Sequence, residues 1–281
     1  MKKVLTIAGS DSGGGAGIQA DIKTFTALGV FGTSVITAVT AQNTVGVQGI
    51  QEIPAEFVGK QIDSVMQDIG ADSVKIGMLA NEKVIEVVAD RIKKYKMKLV
   101  VLDPVMVAKG GDRLIHKNAQ DILVNKLFPL AYLITPNLYE AEVLTGLKIK
   151  SVEQMISAAK EMLKMGPKNV LVKGGHLKEE QGAIDILVDN NEKIYKFVSK
   201  RIRTKNTHGT GCTYSSAIAA KLADGCTLID SVKTAKKYID CAIKGGQFLQ
   251  IGHGHGPLNH MANKYQKSNI PPIRRAGKNQ K

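Results

Sequence analysis

The chain has 281 residues, 43% hydrophobic and 23% charged, with a formal net charge of +14. That length and balance fit an ordinary folded protein with a sizeable core, in one large domain or two small ones. No apolar run reaches the roughly 20 residues a membrane helix needs, and the basic start Met1-Lys2-Lys3 meets Ser10-Asp11-Ser12 too early for a signal peptide.

Val4 to Ala8 is a short apolar run that predicts a buried strand. It enters Gly9-Ser10-Asp11-Ser12-Gly13-Gly14-Gly15-Ala16-Gly17, and a helix follows from Ile18 to Leu28. Gly15-x-Gly17-x-x-Ala20 matches a dinucleotide fingerprint, but no acid lies between Asp21 and Glu52 to take a ribose, and no G-K-[ST] makes a P-loop. A strand over Thr33 to Thr40, an extended segment from Val45 to Ile53 and a helix from Pro54 to Asp68 come next. Strands are then expected at Val74–Ile76, Leu99–Leu102, Tyr132–Ile134 and Val170–Lys173, with helices over Glu82–Lys94, Asn118–Lys126, Leu138–Leu144 and Val152–Met165. A hairpin turns about Asp189-Asn190-Asn191, and helices over Ser215–Leu222 and Leu228–Lys244 close the pattern. Strands alternating with helices predict an α/β fold with a mostly parallel central sheet and helices on both faces. One domain over residues 1–261 is expected, followed by a basic, disordered tail over 262–281.

The positive charge invites a nucleic-acid partner. The acids stop at Asp240, however, and the six basic residues between Lys264 and Lys281 sit in that tail. Trp is absent and aromatics make up 5%, so no stacking platform exists. A small phosphorylated ligand explains the charge without nucleic acid or membrane. Three cysteines without paired spacing (Cys212, Cys226, Cys241) point to reduced thiols in the cytoplasm and away from zinc.

Thr207-His208-Gly209-Thr210-Gly211-Cys212-Thr213 is the stretch richest in chemistry. Two glycines permit tight turns, and a helix behind them offers unpaired N–H groups and a positive dipole end: an anion hole. The plainer alternative is a glycine-rich turn with a small buried cysteine. In a doubly wound sheet ligands bind at the carboxyl ends of the strands. Those ends supply Gly9, Gln42, Met78, Asp103, Asn137 with Glu140, and Lys173. Acids and an amide (Asp103, Asn137, Glu140) suit Mg²⁺, directly or through water. Lys173 suits a phosphate. Metal, lysine and backbone donors together are what phosphoryl transfer requires.

On these motifs the chain resembles the hydroxymethylpyrimidine/phosphomethylpyrimidine kinase branch of the ribokinase superfamily. The matching pieces include Gly14-Gly15-Ala16-Gly17-Ile18-Gln19-Ala20-Asp21, Ala41-Gln42-Asn43-Thr44, Lys75-Ile76-Gly77-Met78 and Asp103-Pro104-Val105-Met106. Thr135-Pro136-Asn137-Leu138-x-Glu140, Lys173-Gly174-Gly175-His176, the central glycine stretch and Gly252-x-Gly254-x-Gly256-Pro257 complete them. The resemblance spans about residues 3 to 260. It implies a ribokinase-like three-layer fold, use of ATP and Mg²⁺, a cytoplasmic homodimer, and two successive phosphorylations of 4-amino-5-hydroxymethyl-2-methylpyrimidine. Asp21 and Gln42 would then read the aminopyrimidine edge, with Gly9, Met78 and Val105 lining the ring. Asp103, Asn137 and Glu140 would hold the metal. Lys173, Thr204, His208, Gly209 and Gly211 would hold the nucleotide, with the last helix alongside, and Gly209, Thr210, Gly211, Cys212 and Lys173 would carry the transfer.

Cys212 stands where the superfamily commonly has a basic aspartate. It is either the base, its acidity raised by the helix start, or a contact residue. His176 is read as shaping its loop, and so is His208. Pyridoxal kinases of the same branch are the nearest rival, and they tend to carry Met in place of Gln42. A protein that keeps the fold without the chemistry is the rival of another class.

Overall fold

Every residue from Val4 to Ala8 is buried, because the strand they form lies at the centre of a sheet covered on both sides. The structure, a computed structural model, describes residues 1–106, 119–175, 177 and 182–262. Its elements run β1 (Lys3–Asp11), α1 (Gly17–Leu28), β2 (Phe31–Gln42), β3 (Val47–Glu52), α2 (Ala55–Asp68), β4 (Ser73–Ile76), α3 (Glu82–Lys94), β5 (Val100–Leu102) and α4 (Ala119–Ile122). They continue as β6 (Leu133–Ile134), α5 (Leu138–Thr145), α6 (Val152–Leu163), β7 (Val170–Gly174), β8 (Ala183–Val188), β9 (Ile194–Ser199), α7 (Thr210–Ala223) and α8 (Leu228–Gly246).

The strands form one sheet in the order β3-β2-β1-β4-β5-β6-β7-β8-β9. From β2 through β7 all neighbours pair in parallel. Among the described residues only β3, at one edge, and the β8–β9 hairpin, at the other, bring in antiparallel pairs. Period-two alternation divides the core. Leu5, Ile7, Val74, Ile76 and Val172 pack with α2, α3 and α6 on one face, and Val4, Val101, Leu133 and Leu171 pack with α1, α7 and α8 on the other. Helices on both faces make the expected three layers.

Two expected helices differ. The region expected as one helix to Lys126 is α only over Ala119–Ile122, then a π turn (Leu123–Leu127) and a 3₁₀ turn (Phe128–Leu130) that contains Pro129. The helix expected from Ser215 begins at Thr210, directly behind Gly209 in the left-handed region (φ 81°). Thr210 and Gly211 are poor helix formers, so the pattern hides a start that is set from outside. Thr210 Oγ1 donates to Thr207 O, and Thr213 N–H donates to Gly209 O. Among the described residues no helix is long and apolar enough to cross a membrane.

Candidate active site

The carboxyl ends of β1, β2, β4, β5, β6 and β7 open into a cleft of about 800 Å³. At its first end β1 delivers Asp11 into the glycine turn. The carboxylate accepts from the backbone N–H groups of Gly13 (2.8 Å), Gly15 (3.1 Å) and Ala16 (2.8 Å), and His208 Nε2 donates to it at 2.8 Å. Burial would raise its pKa, but the bonds from His208 and Ala16 outweigh that and hold it low. Asp11 thus fixes the turn and ties it to the central loop. It has the most partners of any acid at this end, and its place in a Ser/Gly turn carries no sequence signal of that role. The approach leaves no room for side chains: a Cβ on Gly15 would run into the His208 ring, and one on Gly209 into the carbonyl of Gly15.

Gln42, at the end of β2, lies in the wall with its Nε2 3.4 Å from His208 Nε2. Beside it Gly9 and Met78 make an apolar floor, a Cβ on Gly9 falling 3.3 Å from the Met78 sulfur, and Val105 closes the side. His208, expected against the nucleotide, bonds to Asp11 and lies beside Gln42.

The other end is charged. Lys173 Nζ donates to Asp103 Oδ1 at 2.6 Å, and Thr135 Oγ1 donates to the same oxygen at 3.1 Å. Burial would lower the Lys173 pKa, but Asp103 and Glu140 more than offset it and keep the ammonium charged. Asn137 and Glu140 form a capping box at the start of α5: Asn137 Oδ1 accepts from Glu140 N–H (2.9 Å) and Glu140 Oε2 from Asn137 N–H (2.7 Å). Burial lifts Glu140 to about 7, against the pull of Lys173. With the amide oxygen of Asn137 committed to the cap and Asp103 to Lys173, these residues build no all-protein cage, and no cluster of three or more His, Cys, Asp or Glu suited to a metal occurs among the described residues.

Beyond them the β8–β9 hairpin and α8 extend the cleft. Lys236 Nζ donates to Asp185 Oδ2 at 2.6 Å, and Ile202, Ile239 and Ile243 supply an apolar wall. This extension was not foreseen beyond the role given to the last helix. Thr204 does not line the cleft: its hydroxyl accepts from Asn206 N–H (3.1 Å), and Ile202 occupies the wall instead.

Between the two ends sits the N-terminus of α7. Neither it nor the N-terminus of α1 carries a side-chain cap; the Thr210 N–H is taken by Thr207 O at 3.3 Å and the Gly17 N–H by the Cys212 thiol, so what α7 can offer a ligand is the rest of its first turn. Gly209, Thr210, Gly211 and Cys212 all line the cleft, and a Cβ on Gly211 would sit 3.4 Å from both Asp103 Oδ2 and Lys173 Nζ. The thiol does not follow expectation. Burial pushes it up to about 11, and Asp21 and Asp103 add to this, against Lys75 and the Gly17 N–H; here burial defeats the helix start.

Asp21 is the clearest correction. It is fully buried and does not line the cleft. Thr6 Oγ1 (2.6 Å) and Lys75 Nζ (2.9 Å) donate to its Oδ2 and Ser216 Oγ (2.6 Å) to its Oδ1, so it has no face left for a substrate. His176 lies outside the described residues.

The profile of the phosphomethylpyrimidine kinase family matches residues 11–259. The chain belongs to that family. It is 51% identical to the hydroxymethylpyrimidine/phosphomethylpyrimidine kinase of Haemophilus influenzae, over 93% of this chain and 97% of that one. It is 54% identical to the thiamine biosynthesis bifunctional protein ThiED of Geobacter sulfurreducens, matching 92% of this chain but only about half (52%) of the longer protein. Among solved structures, the ADP complex of Bacillus subtilis pyridoxal kinase superimposes with a TM-score of 0.85 at 39% identity, covering 94% of this chain and 99% of that one. The protein is a kinase with the ribokinase-like fold.

Proposed function

We propose that this kinase transfers the terminal phosphoryl group of ATP first to the hydroxymethyl oxygen of 4-amino-5-hydroxymethyl-2-methylpyrimidine and then to the resulting monophosphate, as a step of thiamine biosynthesis. The observation that carries this reading is the seam of the cleft. The uncapped start of α7 stands between an apolar floor with one amide, at Gly9, Met78 and Gln42, and the buried pair Lys173–Asp103. Gln42 both donates and accepts, as the edge of an aminopyrimidine requires. Lys173 and the N–H groups of Gly209, Gly211 and Cys212 would face the charge that develops on the transferred group.

In the first transfer, Cys212, a thiolate in only a small fraction of molecules because burial raises it to about 11, takes the hydroxyl proton while the substrate oxygen bonds to the γ-phosphorus. The bond from phosphorus to the bridging oxygen breaks, its electron pair leaves with ADP, and the thiol later returns its proton to water. The second acceptor is a phosphate oxygen that is already ionised and needs no base. Mg²⁺ supplies charge neutralisation on the phosphates when bound. Glu140 and Asp103 suit its water shell better than direct ligation, since a hydrated Mg²⁺ keeps several waters. Exposed Val39, Val45 and Ile50 around β2 and β3 favour a second copy of the chain as their cover, and the three free cysteines fit the cytoplasm.

The similarity to pyridoxal kinase favours a second reading, in which pyridoxal is the acceptor; Gln42 argues for the pyrimidine. The test is ATP consumption with the pyrimidine, its monophosphate, pyridoxal and pyridoxine, with products identified by mass. Turnover of pyridoxal alone would overturn the proposal.

A further inference from the structure

Gln42 meets two side chains in the cleft wall. Its amide nitrogen lies 3.4 Å from His208 Nε2 and its amide oxygen 3.0 Å from Thr40 Oγ1. Asp11 decides what His208 can be. Its carboxylate already accepts from three backbone N–H groups and, ionised, has no proton to give. His208 Nε2, 2.8 Å from Asp11 Oδ2, therefore carries the proton of that contact. An amide nitrogen beside it sets donor against donor. The two ends of an amide have the same shape, so the neighbours decide which is which. Turned end for end, Gln42 puts its oxygen toward the His208 N–H and its nitrogen toward Thr40. Thr40 suits either arrangement, because its one hydroxyl proton can go to Gln42 or to Ser10 O at 2.9 Å. His208 suits only the second. Its ring is wedged against Gly15, where a Cβ would collide with it, and its backbone N–H donates to Gly256 O at 3.1 Å.

We propose that Asp11, through His208, fixes which way round the Gln42 amide stands, and that His208 is thereby a positioning residue that selects an amino-substituted ring edge over its oxo counterpart. This rests on the reading of the pyrimidine as acceptor. An amide has two N–H donors and two oxygen lone pairs. Thr40 takes one donor and His208 one lone pair, which leaves an adjacent donor and acceptor for the ligand. That pair matches a ring nitrogen beside an exocyclic amino group, as an amide matches the edge of adenine. In the 4-oxo ring the exocyclic group accepts and the ring nitrogen donates, so only the reversed amide matches it. The hydroxymethyl group has to point at the start of α7, so the ring cannot turn over to compensate.

The experiment is calorimetric binding of 4-amino-5-hydroxymethyl-2-methylpyrimidine and of its 4-oxo analogue to the full chain, so that no turnover is needed. The wild type should favour the amino ring by about 10²-fold or more, since a site with committed polar groups rejects a mismatched analogue. His208→Phe keeps a ring and leaves Asp11 its three N–H partners. It should cut that preference by about tenfold, the worth of one hydrogen bond. His208→Gln, which keeps an N–H at the reach of Nε2, should restore it. Thr40→Val should weaken both ligands and keep the preference. A general loosening of the cleft would lower both affinities together and leave their ratio unmoved. Because His208→Phe can fail to fold, the amide is also located in the wild type by NMR. Nuclear Overhauser contacts from the Gln42 side-chain NH₂, assigned by its loss in Gln42→Met, should reach the Thr40 methyl and not the His208 ring. If they run to the His208 ring, or if His208→Phe keeps the wild-type preference, the proposal falls while the pyrimidine reading stands. If neither pyrimidine binds, both fall.

Discussion

The two ends of the cleft are built by different means. At the acceptor end the polar work is done largely by backbone. Asp11 gathers three N–H groups of the glycine turn, the floor is a glycine and a methionine sulfur, and Gln42 is the one amide in the wall expected to read the ring. At the donor end it is done by buried ions: Lys173 on Asp103, Lys236 on Asp185, and Glu140 lifted to about 7 beside them. Under the proposed function the difference follows from what each end would hold. A flat neutral heterocycle is recognised by shape and a few placed dipoles. A polyphosphate needs fixed cations, and a buried cation needs a counter-carboxylate. The start of α7 lies between them.

If this division is right, mutations should sort by end. The largest effect is expected at the donor end. Lys173→Met should slow both phosphorylations by about 10²–10³-fold, the usual consequence of removing one preorganised group from a developing anion. Single-turnover rates measured separately with the pyrimidine and with its monophosphate decide it. A loss confined to one acceptor would mean that the ends are not separate.

Next is the seam. Cys212→Ala should slow the first transfer by more than tenfold, since a general base contributes typically about 10²–10⁴-fold, and the second by much less, because its nucleophile arrives ionised. Cys212→Asp should recover part of the first step. Equal slowing of both steps would reduce Cys212 to a residue that shapes the anion hole. At the acceptor end Gln42→Met should weaken use of the pyrimidine by about 1–3 kcal/mol, the cost of an unpaired buried polar edge, and leave ATP affinity alone. An unchanged preference for pyrimidine over pyridoxal would remove Gln42 as the selector.

Both ends were readable in the sequence wherever a strand end carries the residue. Gly9, Gln42, Met78 and Val105 all line the cleft as expected, because strand ends and glycine turns are local features with local signatures. Asp21 failed because an aspartate that meets a ligand and one that meets a core lysine look alike, and Lys75 lies 54 positions away. At the donor end Asp103, Asn137, Glu140 and Lys173 line the cleft too; what the sequence hides there is the pair Asp185 and Lys236, 51 positions apart, one on a hairpin and one on the last helix. Thr204 does not line the cleft, while Ile202, two residues before it, does; nothing in a loop sequence fixes which side chain turns inward. The central loop was found, but its helix start was not, because Thr210 and Gly211 hide it. The tail beyond Ala262 lies outside the described residues.

The smallest effect on the reaction is expected behind the seam, where a histidine holds the helix that carries Cys212 without touching the cleft. His260 is buried, with Nε2 3.0 Å from Thr213 Oγ1, and its carbonyl accepts from Tyr238 Oη–H at 2.9 Å. Burial lowers its pKa to about 4, from an ordinary 6.5, with Lys23 adding to the effect. The folded state therefore binds this proton less tightly than the unfolded chain does. Above pH 6.5 both states are neutral here and the group contributes no pH dependence. As pH falls from 6.5 to about 4 the unfolded chain takes up the proton first, and stability drops by about 3 kcal/mol, at 1.36 kcal/mol per unit. His260→Gln should remove that slope while leaving both phosphorylation rates at pH 8 within about twofold. Urea melts of the two proteins at pH 8, 6 and 4.5 check it. The expected result is that the wild type loses stability faster than the variant over this range; parallel curves would show that His260 titrates normally and that the floor beneath α7 is open to water.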